Sequence, residues 1–443
     1  MLTNPVLISV LFMIILCLFK MNIIVAIILS SLLAGLLAGM PLNELMATFI
    51  SGMGAHNNVA LSYILLGALA YGIQTTGLAT KIAKTLEKLF GKSGKIFILV
   101  LAAIACLSQN VVPIHIAFIP ILIPPLLSLM DKMKLDRRVV ACALTFGLKA
   151  PYILIPAGFG LIFQNIIATN ITQNGMDIDA NRIWIYMIGP AVGMLIGLLV
   201  AVFITYRKPR SYEDIVQEKE VIAIEEEDGF QLKHWGALLG TVATFGIQIW
   251  AGIAFDGSPL WALSLGAIVG LLIMLATGAI KFKDFDKTIN GGIALMGFIA
   301  FVMLVAAGYG AIIRESGGIA TLVDSAYGLV GNNRLLAVII MQLIGLLVTL
   351  GIGTSFGTIP IISTVFVPLC IAMGFSPAAT IILIATAGAT GDAGVPASDT
   401  ALGPTAGLNA DGQHDHIWDT CIPTFLHFNI PIKIVGIILA LLV

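Results

Sequence analysis

The stretch from Leu335 to Gly391 runs for 57 residues without one aspartate, glutamate, lysine or arginine. A single helix needs only about 20 apolar residues to cross a bilayer, so this run can make more than one passage. Its middle is not uniformly apolar: Gly353, Thr354, Ser355, Gly357 and Thr358 gather there. No charged loop surrounds this polar knot, which argues against its reaching bulk water. Backbone leaves the helix at membrane depth only where protein or a wet cavity surrounds it. The run therefore reads as two helical arms, about 335–352 and 359–373, meeting at a non-helical tip inside the membrane. The alternative is two full spans joined by a short external turn.

A second stretch has the same character. Ile96 to Met130 is free of charge with His115 neutral, and at its centre stands Ser108-Gln109-Asn110, followed by Pro113, Pro120, Pro124 and Pro125. The two tips lie about 246 positions apart. Between them a series of letters recurs in order. Ile50-Ser-Gly52 returns as Ile289-Asn-Gly291, Ala70-Tyr71-Gly72 as Gly308-Tyr309-Gly310, and Leu78-Ala79-Thr80 as Ile319-Ala320-Thr321. So long a period excludes a solenoid and points to a duplicated domain.

Composition supports a membrane setting. Hydrophobic residues make up 58% and charged residues 11%, where soluble domains carry about 25% charged residues. A net charge of −1 argues against a nucleic-acid partner. Val6–Phe19 reads as a first span rather than a signal peptide, having no basic residue before it and no small-residue cleavage site. The five cysteines contain no CxxC pair and read as small buried hydrophobes, so neither disulfides nor metal are expected. HExxH and GxSxG are absent, which argues against an enzyme.

The hydropathy pattern sets out an all-α polytopic membrane protein. Spans fall at about 5–19, 22–40, 59–78, 137–165 and 183–206, with an amphipathic arm at 79–92 and the first hairpin at 95–130. The span 137–165 looks interrupted at Lys149-Ala-Pro151 and at Pro156-Ala-Gly158. A charged linker, 207–233, reads as a solvated loop. The order then recurs at 234–254, 259–279, 291–313, a hairpin at 335–373, 377–400 and 421–443. Residues 1–206 and 234–443 are thus two repeats of five transmembrane helices, each with one re-entrant hairpin. Lysine and arginine collect on the cytoplasmic side. With the N-terminus outside, eighteen basic residues fall inside and three, Arg182, Arg314 and Arg334, fall outside. Five crossings per half make the repeats inverted, and both termini are expected to be extracytoplasmic in a bacterial-type inner membrane.

Inverted repeats with broken helices at the midplane are the pattern of secondary transporters. A helix that starts in mid-membrane offers free N–H groups to a carboxylate, and one that ends there offers carbonyls to sodium. Ser108, Gln109, Asn110, Gly353, Thr354, Ser355 and Thr358 supply tip oxygens and amides suited to a hard cation. Ionisable residues in the membrane are functional by default. Asp392, in Thr390-Gly-Asp-Ala-Gly-Val-Pro396, stands at the break of 377–400; Ser398 and Asp399 follow, and Lys149 stands at the corresponding break of the first half. Asn110, Ser355 and Asp392 are the expected sodium contacts. His115 reads as a buried histidine, and Lys433 as a snorkelling side chain. His414-Asp415-His416 with Asp419 looks metal-like in letters, but a solvated turn is the plainer reading.

The stretch 351–360 with Gly391-Asp-Ala-Gly-Val-Pro-Ala-Ser-Asp399 downstream resembles the NhaC-type sodium/proton antiporter family of the ion-transporter superfamily. Nearly the whole chain shares the plan, and it is similar to a compact subgroup suspected of amino-acid transport, histidine in particular. The resemblance implies an elevator mechanism, in which a transport domain slides against a scaffold, and a homodimer. The first tip departs from Gly-Thr-Ser, and Lys149 is an added charge. Both features favour cation-coupled (Na+ or H+) transport of a small carboxylate-bearing solute, an amino acid such as histidine. The alternative is a Na+/H+ antiporter, and neither reading calls for a cofactor beyond the coupling ion.

Overall fold

A computed structural model of the chain describes residues 4–19, 21–78, 93–110, 119–156, 159–213, 231–255, 261–319, 321 and 333–443. Among them every regular element is helical. In chain order these are α1 (Pro5–Leu18), α2 (Ile23–Leu37), α3 (Leu42–Met53), α4 (Asn57–Thr76), α5 (Gly94–Asn110), α6 (Arg137–Leu154), α7 (Phe159–Gln173) and α8 (Ile183–Val200). The second half holds α9 (Leu232–Ala254), α10 (Trp261–Ala276), α11 (Phe285–Glu315), α12 (Arg334–Ile352), α13 (Ser355–Ala372), α14 (Pro377–Ala389), α15 (Asp399–Leu408) and α16 (Ile430–Leu442). Short helical turns stand at Ile119–Leu122 and Leu127–Lys132.

Among the described residues, five stretches are long and apolar enough to cross a bilayer: 180–205, 282–315, 334–352, 355–372 and 416–442. The pair α3–α4, bent by 47°, makes up to six, and five further helices are apolar but shorter. This is a multi-pass membrane protein.

Several boundaries differ from those read in the sequence. The arm after the second tip begins at Ser355, four residues earlier than the expected 359, because Thr354 caps it: its hydroxyl accepts the Phe356 amide at 3.3 Å. In the first-half span, α6 runs unbroken through Lys149–Pro151 to Leu154 and α7 starts at Phe159, with Ala157 and Gly158 outside the described residues. Pro151 sits inside α6, whose residues from 147 to 153 are all buried, and membrane helices tolerate proline where neighbours surround the freed backbone. The span 377–400 is interrupted as expected, at 390–398, but resumes as α15 and runs on to Leu408. α3 was not among the expected spans. It buries Leu45 and Phe49 and exposes Leu42, Met46 and Ile50, an amphipathic pattern too short for a hydropathy window. The expected arm at 79–92 lies outside the described residues.

Packing divides the interior in two. The larger apolar core joins α1–α3 and α5–α8 to α11–α16. A smaller one clamps α9 and α10 onto α4 through Leu66, Leu69, Ala237, Leu271 and Met274. Small residues let backbones meet, as membrane packing requires. At Gly308 in α11, an added methyl would lie 2.8 Å from the carbonyl oxygen of Phe49 in α3. Buried hydroxyl pairs add directional contacts. Ser9 meets Tyr309 at 2.9 Å, and Ser62 meets Ser264 at 2.8 Å.

Candidate functional site

The two helices α12 and α13 are separated by two residues, Gly353 and Thr354. Gly353 takes φ 81°, a left-handed conformation that glycine adopts without strain, and its amide closes the helix on Thr349 O at 2.7 Å. Thr354 is extended and begins α13. The first free amide of that helix, Ser355 N–H, donates to Asp392 Oδ1 at 3.2 Å. A carboxylate at a helix N-terminus is favoured by the helix dipole. Here the carboxylate belongs to the protein itself.

Asp392 lies in the gap between α14 and α15, 7% exposed. Its other oxygen stands 4.0 Å from Lys149 Nζ, and Lys149 is fully buried. The ammonium also donates to the carbonyl of Ala389, the last residue of α14. Lys149 thus bridges a helix C-terminus and a carboxylate, two partners that suit a cation. One turn along α6, the Tyr152 hydroxyl meets Ser355 Oγ, and the Tyr152 ring packs on Phe163 and Phe356 with centroids 4.6 and 5.7 Å apart.

The gap is held from both ends. Ser398 Oγ donates to the Asp392 carbonyl, as does Thr400 Oγ1 at 2.7 Å. Thr145 Oγ1 donates to Thr400 O at 3.1 Å, and Asn429 Nδ2 donates to Ala393 O at 2.6 Å. Asp399 opens α15 in its first turn.

Lys149, Ser355 and Asp392 are therefore brought together, with Gly353 and Thr354 shaping the tip and Ser398 bracing the backbone. Thr358 plays a different part: it is fully buried and its hydroxyl donates back to Thr354 O at 2.9 Å. Ser108, Gln109 and Asn110 form the last turn of α5; their side chains lie outside the described residues, as do residues 111–118 with His115. Tyr152 and Asn429 were not read from the sequence. A tyrosine three positions after an intramembrane lysine shares its helix face, and that spacing is the signal that could have found Tyr152.

Lys433 departs from the expected snorkelling. It shares the buried face of α16 with Asn429, Gly436 and Ala440, and its ammonium donates to Gln342 O in α12 at 2.6 Å.

A second polar cluster gathers at the start of α6. The Arg137 side chain is fully buried, with two bonds to Asp131 at 2.9 and 3.0 Å and two to Asp411 at 2.7 and 2.6 Å. Its guanidinium lies 4.1 Å from the Tyr212 ring centroid. Arg210 bonds Asp419 at 2.7 Å, and Gln413 exchanges two bonds with the Glu213 backbone. Arg210, Tyr212 and Glu213 of the linker are thus anchored on the protein, while Arg207, Lys208, Pro209 and Ser211 are exposed; 214–230 lie outside the described residues. Burial alone would push the Asp411 carboxyl up, but its bonds to Arg137 outweigh that and hold it below the ordinary range.

The histidines after Asp411 are no solvated turn either. His414 is 2% exposed, its Nε2 lies 2.7 Å from Thr420 Oγ1, and burial pushes its imidazole down. His416 Nε2 donates to Pro396 O at 2.8 Å, and its Nδ1 lies 2.8 Å from Thr405 Oγ1. Three of the four ring nitrogens are spent on hydroxyls and a carbonyl, and His414 Nδ1 has no partner. Among the described residues no group of three or more His, Cys, Asp or Glu is placed to hold a metal.

Comparison with known proteins adds the following. Residues 143–439 match the sequence profile of the Na+/H+ antiporter family, and residues 4–90 match a second profile, the Na+-H+ antiporter family. An uncharacterized membrane protein of Vibrio parahaemolyticus is 45% identical over 451 residues, covering 99% of each chain. A Bacillus subtilis protein described as "Putative amino acid transporter YuiF" is 44% identical over 449 residues, again covering 99% of each. Among solved structures, the YdaH transporter of Alcanivorax borkumensis aligns over 99% of this chain and 97% of its own, at 13% identity and a TM-score of 0.44.

Proposed function

Because this chain belongs to the Na+/H+ antiporter family, a family of transporters rather than enzymes, we propose that it couples a cation, Na+ or H+, to the movement of a small carboxylate-bearing solute, an amino acid such as histidine. The carrying observation is the meeting of Lys149, Asp392, the Ala389 carbonyl and the Ser355 amide between α12, α13 and α14. Buried charge in a membrane is costly and is retained where it moves ions or substrate. A sodium ion arriving at Asp392 would take the place the Lys149 ammonium now fills. A proton on Asp392 would release Ser355 N–H for a solute carboxylate. The description of the Bacillus subtilis relative as an amino acid transporter supports the organic solute.

The proposal extends to architecture. Two inverted repeats, 1–206 and 234–443, would place both termini outside the inner membrane, and an elevator movement in a homodimer would carry the site across. The alternative, a Na+/H+ antiporter without organic solute, is favoured by the family description itself.

The test is thermal stabilisation of the purified protein by amino acids, each with and without sodium. Anything bound only by the folded state raises its stability. An amino acid that stabilises the wild type, but not Asp392→Asn, supports solute coupling. Stabilisation by sodium alone across the whole panel favours the antiporter.

A further inference from the structure

Lys433 stands apart from the site just described. It is held on the buried face of α16, against α8, α12 and α14. None of these four helices carries an aspartate or glutamate. Their other titratable or charged groups are Tyr186 of α8 and Arg334, the first residue of α12. The preceding segment, residues 425–429, brings His427, which is occupied by Pro423 O and the Thr205 hydroxyl at 2.7 and 2.9 Å. The remaining charged group that acts on Lys433 is another cation, Lys149 of α6.

The acceptors around Lys433 are unevenly used. An ammonium has three N–H donors, and here one bond is made, to Gln342 O. Two buried amide oxygens nearby have no partner: Gln342 Oε1, on the residue Lys433 already touches, and Asn429 Oδ1, one turn earlier on the same helix face. Unpaired buried acceptors are costly. A shift of these side chains would let the two oxygens take up the remaining donors of the ammonium.

We propose that Lys433 is a proton-carrying site, taking a proton from the aqueous side and returning it as α12 and α16 change their contact. With the proton on, Nζ ties α16 to α12 through Gln342 O, with the two amide oxygens as its further acceptors. With the proton off, no charge remains to be solvated between the helices, and they are free to part. Because α12 ends at the tip that presents Ser355 to Asp392, the proton at Lys433 and the cation at Asp392 would be linked through one helix. This rests on the reading of the protein as a cation-coupled transporter.

Two variants test it: Lys433→Met removes the charge and Lys433→Arg fixes it. In an acid–base titration of the purified protein, each variant should take up about one proton fewer than the wild type between about pH 6 and pH 9. Should Met fail to fold, Arg makes the same measurement. Titration curves identical to the wild type would overturn the proposal. In proteoliposomes, both variants should change the shape of the pH profile of radioactive sodium uptake. A rate lowered equally at every pH would assign Lys433 a structural role and sink the idea. If the wild type moves neither sodium nor an amino acid, the transporter reading fails, while the titration still judges Lys433.

Discussion

Lys149 and Asp392 are buried opposite charges, and removing either one strands the other. Breaking a buried pair from one side costs about 3–5 kcal/mol, whereas replacing both by neutral groups can be close to neutral. Lys149→Met and Asp392→Asn should therefore each lower the thermal midpoint strongly, and the double variant should lie well above the sum of the two losses. A double variant that loses as much as the singles combined would show that the charges do not interact. The sequence made both residues conspicuous, because a charge in an apolar run has few innocent explanations. It could not show that Lys149 sits within a continuous helix, nor that its first partner is a carbonyl. A carbonyl has no letter, and Ala389 looks like any other alanine. Lys433 was misjudged for a related reason: whether a lysine near a helix start turns outward or inward depends on Gln342, a helix that is distant in sequence.

The hairpin α12–α13 was the most legible element. Its length, its charge-free run and its glycine-flanked polar middle all followed from the letters. The tip nevertheless proved tighter than expected, because Gly353 and Thr354 need only two positions to end one helix and begin the next. Gly353→Ala would force a side chain into the left-handed region at a cost of about 1–2 kcal/mol, and it should loosen the tip that aims Ser355 at Asp392. The variant is expected to fold with a lowered midpoint and to bind sodium more weakly than the wild type; unchanged binding would separate tip geometry from ion binding. At the start of α6 the Arg137 bracket makes a pH prediction. Asp411 is held below its ordinary value, so its contribution is present above the unfolded value of about 4 and is lost as the pH falls through the folded one. Asp411→Asn should lower the midpoint at neutral pH and flatten its decline in acid. An unchanged acid limb would mean that other carboxylates set it. This bracket escaped the sequence reading because Asp131, Arg137 and Asp411 look like ordinary loop charges until the fold joins them.

At the scale of the whole molecule, α4, α9 and α10 close a small apolar core of their own, while the charged site lies inside the larger one. Two cores in one chain give a natural place for parts to move against each other. The linker between the proposed repeats is only partly a tether, since 207–213 grips Arg137, Asp419 and Gln413. Excising 214–230 should leave insertion and transport intact, whereas excising 207–213 should impair both. Loss of transport on excising 214–230, with normal insertion, would assign the charge run Glu225–Asp228 a role of its own.

Asp392 on the Ser355 amide also bears on how fast such a protein can work. A helix end already occupied by a group from the same chain cannot hold a visitor at full strength, because every visitor must first evict the resident. Apparent affinity is discounted by the fraction of time the seat is empty. The resident would also close the seat behind a leaving guest and so keep it from rebinding. Tight capture is given up in exchange for quick turnover, which is the currency in which a carrier, unlike a receptor, is judged.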